Sequence, residues 1–220
     1  MGMLPGPKIT ILIPVFNRPE LIRKTLQCVS AQTYSNFEVI VYDDGSTDST
    51  SQVVSQFKNV CLIKSSENKG VAFARNRLLD ACNTEYACWW DSDDLCNIKR
   101  LEMQVKELQK GFDIVFTTFK SFRQERLVNW REQPKSKERP VACASMMFKV
   151  DKEIRFQEQL RFGGEDYKWS RLMQLKYDKR SHVPFILYYV RYHPNRIGRI
   201  RRKLTAKDKQ KSFAEVMRQR

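Results

Sequence analysis

Short apolar runs rich in β-branched residues alternate with helix-like segments through the first half of the chain, and this alternation constrains the fold more than any other feature. Strands are predicted at residues 8–14, 37–42, 60–64, 86–90 and 114–119. Helices are predicted at residues 19–32, 49–57, 71–82 and 98–109. Because strands that alternate with helices form parallel sheets with helices on their faces, we expect an α/β fold with a mostly parallel central sheet.

The second half of the chain is less regular. Residues 123–139 are polar and contain proline, which indicates a long loop or lid. A helix is predicted after Gly164 and a strand at residues 183–192. The residues expected on the buried side of that helix are Trp169, Leu172, Met173 and Leu175. We therefore expect one domain at residues 8–198, with halves at 8–112 and 113–198, between a leader at 1–7 and a basic tail at 199–220.

Chain length and cysteine usage narrow the class of protein. A chain of 220 residues can bury about 70% of its unfolded surface, so the core need not depend on a metal or on disulfides. The six cysteines form no Cys-x-x-Cys pair and only two histidines are present, which argues against structural zinc. We expect reduced thiols and a cytoplasmic protein. No apolar run approaches the roughly 20 residues of a membrane span, and no signal peptide is recognisable.

Positive charge is concentrated at the end of the chain. The net charge is +15, and residues 191–220 carry eleven Lys or Arg against Asp208 and Glu215. Such a segment favours polyanions: an anionic membrane surface, a diphosphate-linked substrate or nucleic acid. The alternative is a solvated extension without a partner.

A cluster of acids follows the fourth predicted strand. Asp91, Asp93 and Asp94 stand within four positions of each other. Unit charges about 4 Å apart repel by roughly 1 kcal/mol in water and by about 4 kcal/mol at an effective dielectric of 20. Hard oxygen ligands suit Mg²⁺ or Mn²⁺, so the cluster predicts a divalent metal. A polar turn that caps the next helix is the alternative, although one cap needs only one carboxylate.

Polar residues also follow the first two predicted strands. In open α/β sheets ligands bind outside the carboxyl ends of the strands, so Asn17, Asp43 and Asp44 should meet the acid cluster at one edge. A carboxylate there could accept hydrogen bonds from a base or a ribose hydroxyl, and Phe16 could stack on a base. The alternatives are helix capping by the 43–48 segment and a core role for the aromatic ring.

Two predicted helix starts carry further candidates. Gly70 opens a helix with Lys69 and Arg75 nearby, which favours a phosphate, or else simply a closely packed helix with surface charge. Glu165 and Asp166 follow two glycines, where a carboxylate could serve as a general base or could merely favour the helix dipole.

The last predicted strand leads into three more basic candidates. Arg191, His193 and Arg196 could reach a diphosphate, and His193 could ligate a metal. A lone histidine is nevertheless more often neither ligand nor catalyst.

Taken in order, five blocks of this sequence closely resemble the family 2 glycosyltransferases. The blocks are residues 11–17, 41–48, 68–70 with 74–76, 91–94 and 164–167, and the resemblance covers roughly residues 8–196. It implies a GT-A fold, a Rossmann-like sheet with a smaller antiparallel part on the acceptor side. It also implies inverting transfer of a sugar from a nucleotide diphosphate, most often UDP, to a hydroxyl of a glycan, lipid-linked or protein-linked acceptor.

The resemblance also implies roles for individual residues. Asp91 and Asp93 match the family's Asp-x-Asp motif, the first contacting ribose or sugar and the second Mn²⁺ or Mg²⁺, while Asp166 matches the catalytic base with Glu165 as its neighbour. The candidate donor-binding residues are Pro14, Phe16, Asn17, Asp43, Asp44, Gly70, Arg75, Asp91, Ser92, Asp93 and Arg191. The candidate metal ligands are Asp91, Asp93, Asp94 and His193. Family members often place Ser or Thr after the C-terminal Arg-x-His, whereas this chain has Asn195 and Arg196.

Other functions account for less of the sequence. A nucleotidyltransferase needs a glycine-rich loop after the first strand, and residues 14–20 contain no glycine. A glycoside hydrolase could pair Asp93 with Asp166 but has no use for a nucleoside pocket. A nucleic-acid-binding module explains the tail but not the acidic edge, so no nucleic acid is expected. A non-catalytic or merely hydrolysing relative stays open.

Overall fold

A computed structural model describes residues 6–123, 143–159 and 164–192 of the chain. The strands are β1 Ile9–Val15, β2 Phe37–Asp43, β3 Val60–Lys64, β4 Tyr86–Trp89, β5 Leu95–Cys96, β6 Ile114–Phe122, β7 Met147–Lys149 and β8 Arg180–Arg191. The helices are α1 Pro19–Ser30, α2 Thr50–Val54, α3 Val71–Ala81, α4 Arg100–Leu108 and α5 Glu165–Lys176. A short 3₁₀ turn at Cys143–Ser145 precedes β7.

All of these strands join one mixed sheet in the order β3-β2-β1-β4-β7-β6-β8-β5. Strands β1 to β4 pair in parallel, and β7 then pairs antiparallel with both β4 and β6. At the far edge β8 pairs parallel with β6 and antiparallel with β5. The predicted α/β class, a mostly parallel first half with a smaller antiparallel part beyond it, is confirmed.

The two faces of the sheet bury separate apolar clusters. Ile9, Ile11 and Ile13 of β1 join one cluster, whereas Leu12 points to the other, as the two-residue period of a strand requires. The first cluster receives apolar side chains from α1, α2 and α4, and the second receives them from α3 and α5. The helices therefore cover both faces of the sheet.

Helix α5 corrects one expectation from the sequence. Trp169 and Met173 are buried as predicted, but Leu172 is 43% exposed and Leu175 is 66% exposed. The reason is geometric: the inward side of α5 is occupied by Trp169, whose ring packs against Trp89, Phe148 and Phe156. At about 100° per residue, Leu175 falls about 120° away from Trp169 and faces outward.

The cysteines behave as predicted, because all six are free thiols and five of them are buried. Among the described residues, no helix combines the length and the apolar character needed to cross a bilayer.

Candidate active site

The carboxyl ends of β1 and β2 are held together by Asn17. Its backbone adopts a left-handed conformation with φ 48°, which asparagine tolerates better than most residues. Asn17 N–H donates to Ser46 Oγ at 2.9 Å, and Thr47 N–H donates to Asn17 Oδ1 at 2.9 Å. The predicted proximity of these two strand ends is therefore observed, and Asn17 is the residue that closes it.

Asp43 and Asp44 at the end of β2 are both buried and both engaged with the chain itself. Asp43 accepts a hydrogen bond from Ser46 N–H at 2.9 Å and another from the Ser51 hydroxyl. Asp44 accepts from the backbone N–H groups of Lys69 at 3.0 Å and Gly70 at 2.7 Å, which fixes the entry into α3. Burial raises the pKa of Asp44 despite these two bonds. The acids of this turn thus shape the edge at which β2 and α3 meet.

The acid turn, residues 91–94, follows β4 and is anchored to β8. Asp91 N–H donates to the Tyr188 hydroxyl at 3.2 Å, and Asp94 Oδ1 accepts from Arg191 N–H at 2.7 Å. Arg191 also donates from Nε to the carbonyl oxygen of Asp93 at 2.8 Å. Arg191 therefore clamps the acid turn, and its side chain is partly committed to this contact.

Electrostatic repulsion is built into the acid turn. Asp93 and Asp94 are buried, and burial first, then the charges of Asp93 and Asp91, hold the pKa of Asp94 well above its ordinary value. Arg18 compensates part of this charge, because its Nη1 atom contacts Asp93 Oδ2. A divalent cation would relieve the remaining repulsion.

The acid turn has the ligand chemistry that suits a metal ion, but its side chains do not form a complete coordination shell. Among the described residues, no three His, Cys, Asp or Glu side chains converge on a single metal position. Mg²⁺ and similar ions are usually held by one or two carboxylates together with substrate phosphates, so an incomplete protein shell suits them. Asp93 and Asp94 supply hard oxygen donors of this type. His193 lies outside the described residues.

Two polar side chains on the buried side of α1 and one just beyond its end hold the backbone of the acid turn and of the residues that follow it. The Thr25 hydroxyl lies 3.1 Å from the carbonyl oxygens of both Ser92 and Asp94. The Cys28 thiol approaches Cys96 O at 3.0 Å, and Gln32 Nε2 donates to Asn97 O at 2.9 Å. Thr25 and Cys28 are three residues apart and so share one side of α1, and Gln32 follows just after the helix ends.

Arg75 connects the acid turn to the start of α5. Its Nη2 atom lies 3.0 Å from Asp91 Oδ1, and its Nη1 atom lies 3.3 Å from Glu165 Oε1. The guanidinium also stacks near Trp89 and Phe156, with 5.7 Å and 5.3 Å to the ring centroids. The sequence suggested a cation for a phosphate at this position, and the structure places Arg75 in a buried bridge between two carboxylates.

Glu165 and Asp166 are adjacent but differ in environment. Glu165 is 5% exposed, and burial raises its pKa against the opposing effect of Arg75. Its Oε2 atom has no hydrogen-bond partner among the described residues. Asp166 is only partly buried and accepts from Tyr167 N–H at 2.7 Å. Asp166 is therefore the acid of this pair that solvent and ligands can reach.

The other predicted site residues take the following places. Pro14 is buried in β1, Phe16 is partly exposed beyond it, and Ser92 is buried within the acid turn. Gly70 begins α3 with φ 96°, a left-handed conformation that suits glycine. Phe16 thus keeps exposed surface at this edge.

Sequence reasoning missed several residues that build the site. Thr25 carried a readable signal, since a polar residue on the buried stripe of an amphipathic helix needs a partner. Arg100 is fully buried and donates from Nη2 to Trp89 O at 3.1 Å and Ala144 O at 2.9 Å. Nothing in the local pattern distinguishes Arg100 from an ordinary surface cation of α4.

Comparison with known proteins agrees with this architecture. The family model for glycosyl transferase family 2 matches residues 10–199. The UDP-Glc:alpha-D-GlcNAc-diphosphoundecaprenol beta-1,3-glucosyltransferase WfgD of Escherichia coli is 34% identical over 105 residues, which is 47% of this chain and 42% of WfgD. The matched curated relatives are longer proteins, of which the aligned segment makes up 16% to 42%.

Solved structures share the fold. S. aureus TarS 1–349 in complex with UDP-GlcNAc superposes with a TM-score of 0.75 at 23% identity, over 96% of this chain and 65% of TarS. The mannosyltransferase PcManGT from Pyrobaculum calidifontis, in complex with GDP-Man and Mn²⁺, gives 0.66 at 18% identity over 97% of this chain and 65% of that one. These likenesses confirm the predicted GT-A fold. Since the family model spans most of the sequence, the chain belongs to glycosyltransferase family 2.

Proposed function

We propose that the chain is a metal-dependent, inverting glycosyltransferase of hexosyltransferase type that moves a sugar from a nucleotide diphosphate, best supported as a UDP-sugar, to an acceptor hydroxyl. One observation carries the proposal. Arg75 bridges Asp91 of the acid turn and Glu165, the neighbour of Asp166. The bridge couples the proposed donor side of the site to the proposed base.

The donor would lie along the ends of β1, β2 and α3. In the proposal Phe16 stacks on the base, while Asp44 and Asn17 contact the base and the ribose. The remaining proposed donor contacts are Pro14, Asp43, Gly70, Arg75, Asp91, Ser92, Asp93 and Arg191. Two observations support this placement. Most of these residues lie at or just after the carboxyl ends of strands, and TarS, which shares the fold, has been solved in complex with UDP-GlcNAc.

Mn²⁺ or Mg²⁺ would be held by Asp93 and Asp94, with Asp91 beside them and His193 as a further candidate. When bound, the ion neutralises charge on the leaving diphosphate. The PcManGT complex with Mn²⁺ supports a metal in this fold. A metal ion bound at Asp93 Oδ2 would displace Arg18, whose guanidinium pairs with that oxygen. The freed guanidinium is then a cation available to a diphosphate.

Asp166 would act as the general base. It removes the proton from the acceptor hydroxyl, whose oxygen attacks the anomeric carbon on the face opposite the leaving diphosphate, and one displacement of this kind inverts the configuration. Glu165 would position the base by keeping the first turn of α5 attached to Arg75.

The acceptor would be a hydroxyl of a glycan, of a protein-linked group or of a lipid-linked sugar. The name of WfgD, a transferase acting on a diphosphoundecaprenol-linked sugar, supports the lipid-linked class. In this proposal the enzyme works in the cytoplasm, a single domain at residues 8–198 carries the reaction, and the basic tail at 199–220 attaches loosely to an anionic membrane face.

A sugar-nucleotide screen tests the proposed function. Thermal stabilisation and hydrolysis are measured for UDP-, GDP- and dTDP-sugars with Mn²⁺, with Mg²⁺ and with a chelator. We expect stabilisation by one nucleotide class that needs the divalent ion, together with slow release of the sugar. A non-catalytic relative would show stabilisation without turnover in the presence of any acceptor. Cleavage of glycosides in the absence of a nucleotide would instead indicate a hydrolase.

A further inference from the structure

The outward side of α5 is the most apolar exposed surface in the described part of the chain. Four large apolar side chains are exposed among the described residues, and three of them lie on this helix: Tyr167 at 73%, Leu172 at 43% and Leu175 at 66%. At about 100° per residue, these three residues together with Lys168 and Arg171 occupy a continuous arc about 140° wide. We call these five residues the α5 face.

The cations of the α5 face are free to meet a partner. Arg171 is exposed and pairs with no described acid, and Lys168 contacts only the neutral side chain of Gln157, at 3.1 Å. Lys176 also lies on α5, but it is tied to Asp151 at 2.5 Å and Glu153 at 3.3 Å, so it is not counted. Apolar side chains interleaved with unneutralised cations are the pattern of helices that lie in a membrane interface.

We propose that the α5 face docks the protein on an anionic lipid surface, with Leu172 and Leu175 entering the headgroup boundary and Lys168 and Arg171 meeting lipid phosphates. This surface is separate from the basic tail, and its binding to lipid does not depend on the proposed transfer reaction. Because Asp166 directly precedes Tyr167, docking through this face would bring the first turn of α5, with the proposed base, close to lipid headgroups.

Charge and size favour lipid over the other occupants. The tail at residues 191–220 carries eleven Lys or Arg and two acids, so it would be repelled by the cations of the α5 face. A second copy would present the same cations. A helix of 12 residues is about 18 Å long and about 10 Å wide, far below the roughly 800 Å² per partner of a stable protein interface. A fluid anionic surface needs no such area or shape match.

Vesicle co-sedimentation with the full chain tests the inference. The vesicles are phosphatidylcholine alone or phosphatidylcholine with about 30% phosphatidylglycerol, at low and at high salt. One variant carries Lys168→Gln and Arg171→Gln, and another carries Leu172→Gln and Leu175→Gln. The matched control carries Lys58→Gln and Lys64→Gln, two exposed lysines at the edge of the sheet formed by β3.

We expect binding to anionic vesicles only, weakened about 25-fold by the two α5 cation changes and about tenfold by the two leucine changes. The Lys58 and Lys64 control should stay within about threefold of wild type, since those residues would not face the lipid. Equal weakening by α5 and control variants would overturn the inference, and so would α5 variants that bind like wild type. Loss of a dimer in the α5 variants without any change in vesicle binding would assign the face to a second copy instead.

Circular dichroism and thermal unfolding check that the variants fold, which exposed side chains should permit. Binding of UDP with Mn²⁺ is measured in parallel. Docking on vesicles without nucleotide binding would support this inference and contradict the proposed function. Nucleotide binding without docking on vesicles would contradict this inference and leave the proposed function intact.

Discussion

Arg75 lies 3.0 Å from Asp91 through Nη2 and Oδ1, and the same guanidinium reaches Glu165. The guanidinium lies near the rings of Trp89 and Phe156, and both Arg75 and Glu165 are almost fully buried. This buried bridge joins two segments that are 74 residues apart in the sequence, Asp91 and Glu165.

Replacing Arg75 alone should destabilise the protein more than replacing Arg75 and Glu165 together. Arg75→Met leaves the buried Glu165 carboxylate and the partly exposed Asp91 carboxylate uncompensated, and it should lower the free energy of unfolding by about 3–5 kcal/mol. Arg75→Met combined with Glu165→Gln should recover part of that loss. Urea unfolding of the two single variants and the double variant gives the coupling energy. Strictly additive effects would show that the bridge contributes nothing beyond packing.

Thr25 should affect the metal affinity of the acid turn although its side chain is not a proposed metal ligand. Thr25→Val keeps the shape but leaves the buried carbonyl oxygens of Ser92 and Asp94 without their donor, at a cost of about 1–3 kcal/mol. We expect weaker binding of UDP with Mn²⁺, by about tenfold, while Thr25→Ser restores it. Calorimetric titration measures both variants. A loss of stability with unchanged affinity would reduce Thr25 to a structural residue.

Asp166→Asn should separate binding from chemistry. The amide keeps the size of the side chain but cannot accept a proton, so transfer should fall by about 10²-fold or more while the dissociation constant for UDP stays near the wild-type value. The anomeric configuration of the wild-type product, determined by NMR, tests inversion. Retained turnover in Asp166→Asn would remove this residue as the base.

The thiols give a prediction about accessibility. Cys61 is exposed and the other five cysteines are buried. Burial raises the pKa of Cys88 to about 11 and also raises the pKa of Cys143, so these thiols stay protonated and shielded near pH 8. A colorimetric thiol reagent should find one fast-reacting group in the native protein and six after unfolding. Cys61→Ser should abolish the fast phase, and a second fast thiol would contradict the packing of the sheet.

The sequence predicted the parallel half of the fold well because long periodic segments carry strong signals. Strands β1 to β4 and helix α3 lie within a few residues of their predicted bounds. Strands β5 and β7 went unrecognised because they are two and three residues long, too short to show a period. Helix α4 begins at Arg100 rather than at Ile98, because Asn97 Oδ1 accepts Lys99 N–H and holds a turn there.

The acidic residues of the candidate site could be proposed from the sequence, but the contacts that hold them in place could not. Strand ends and clustered charge identified Asp91, Asp93 and Asp94 from local sequence alone. The contacts of Arg75 and Arg191 could not be read locally, since their partners lie 90 residues or more away for Glu165 and Asp94. The prediction that Leu175 is buried was wrong because α5 has only a narrow inward side, which Trp169 and Met173 fill.

The central claim is that Asp93 helps to bind a donor diphosphate through a divalent ion. The most direct measurement is calorimetric titration of UDP into the wild-type protein and the Asp93→Ala variant, each with Mn²⁺ and with a chelator. The account predicts binding to wild type that requires Mn²⁺ and is weakened at least about tenfold in Asp93→Ala. Binding of equal affinity in the chelator, or in Asp93→Ala with Mn²⁺, would contradict it.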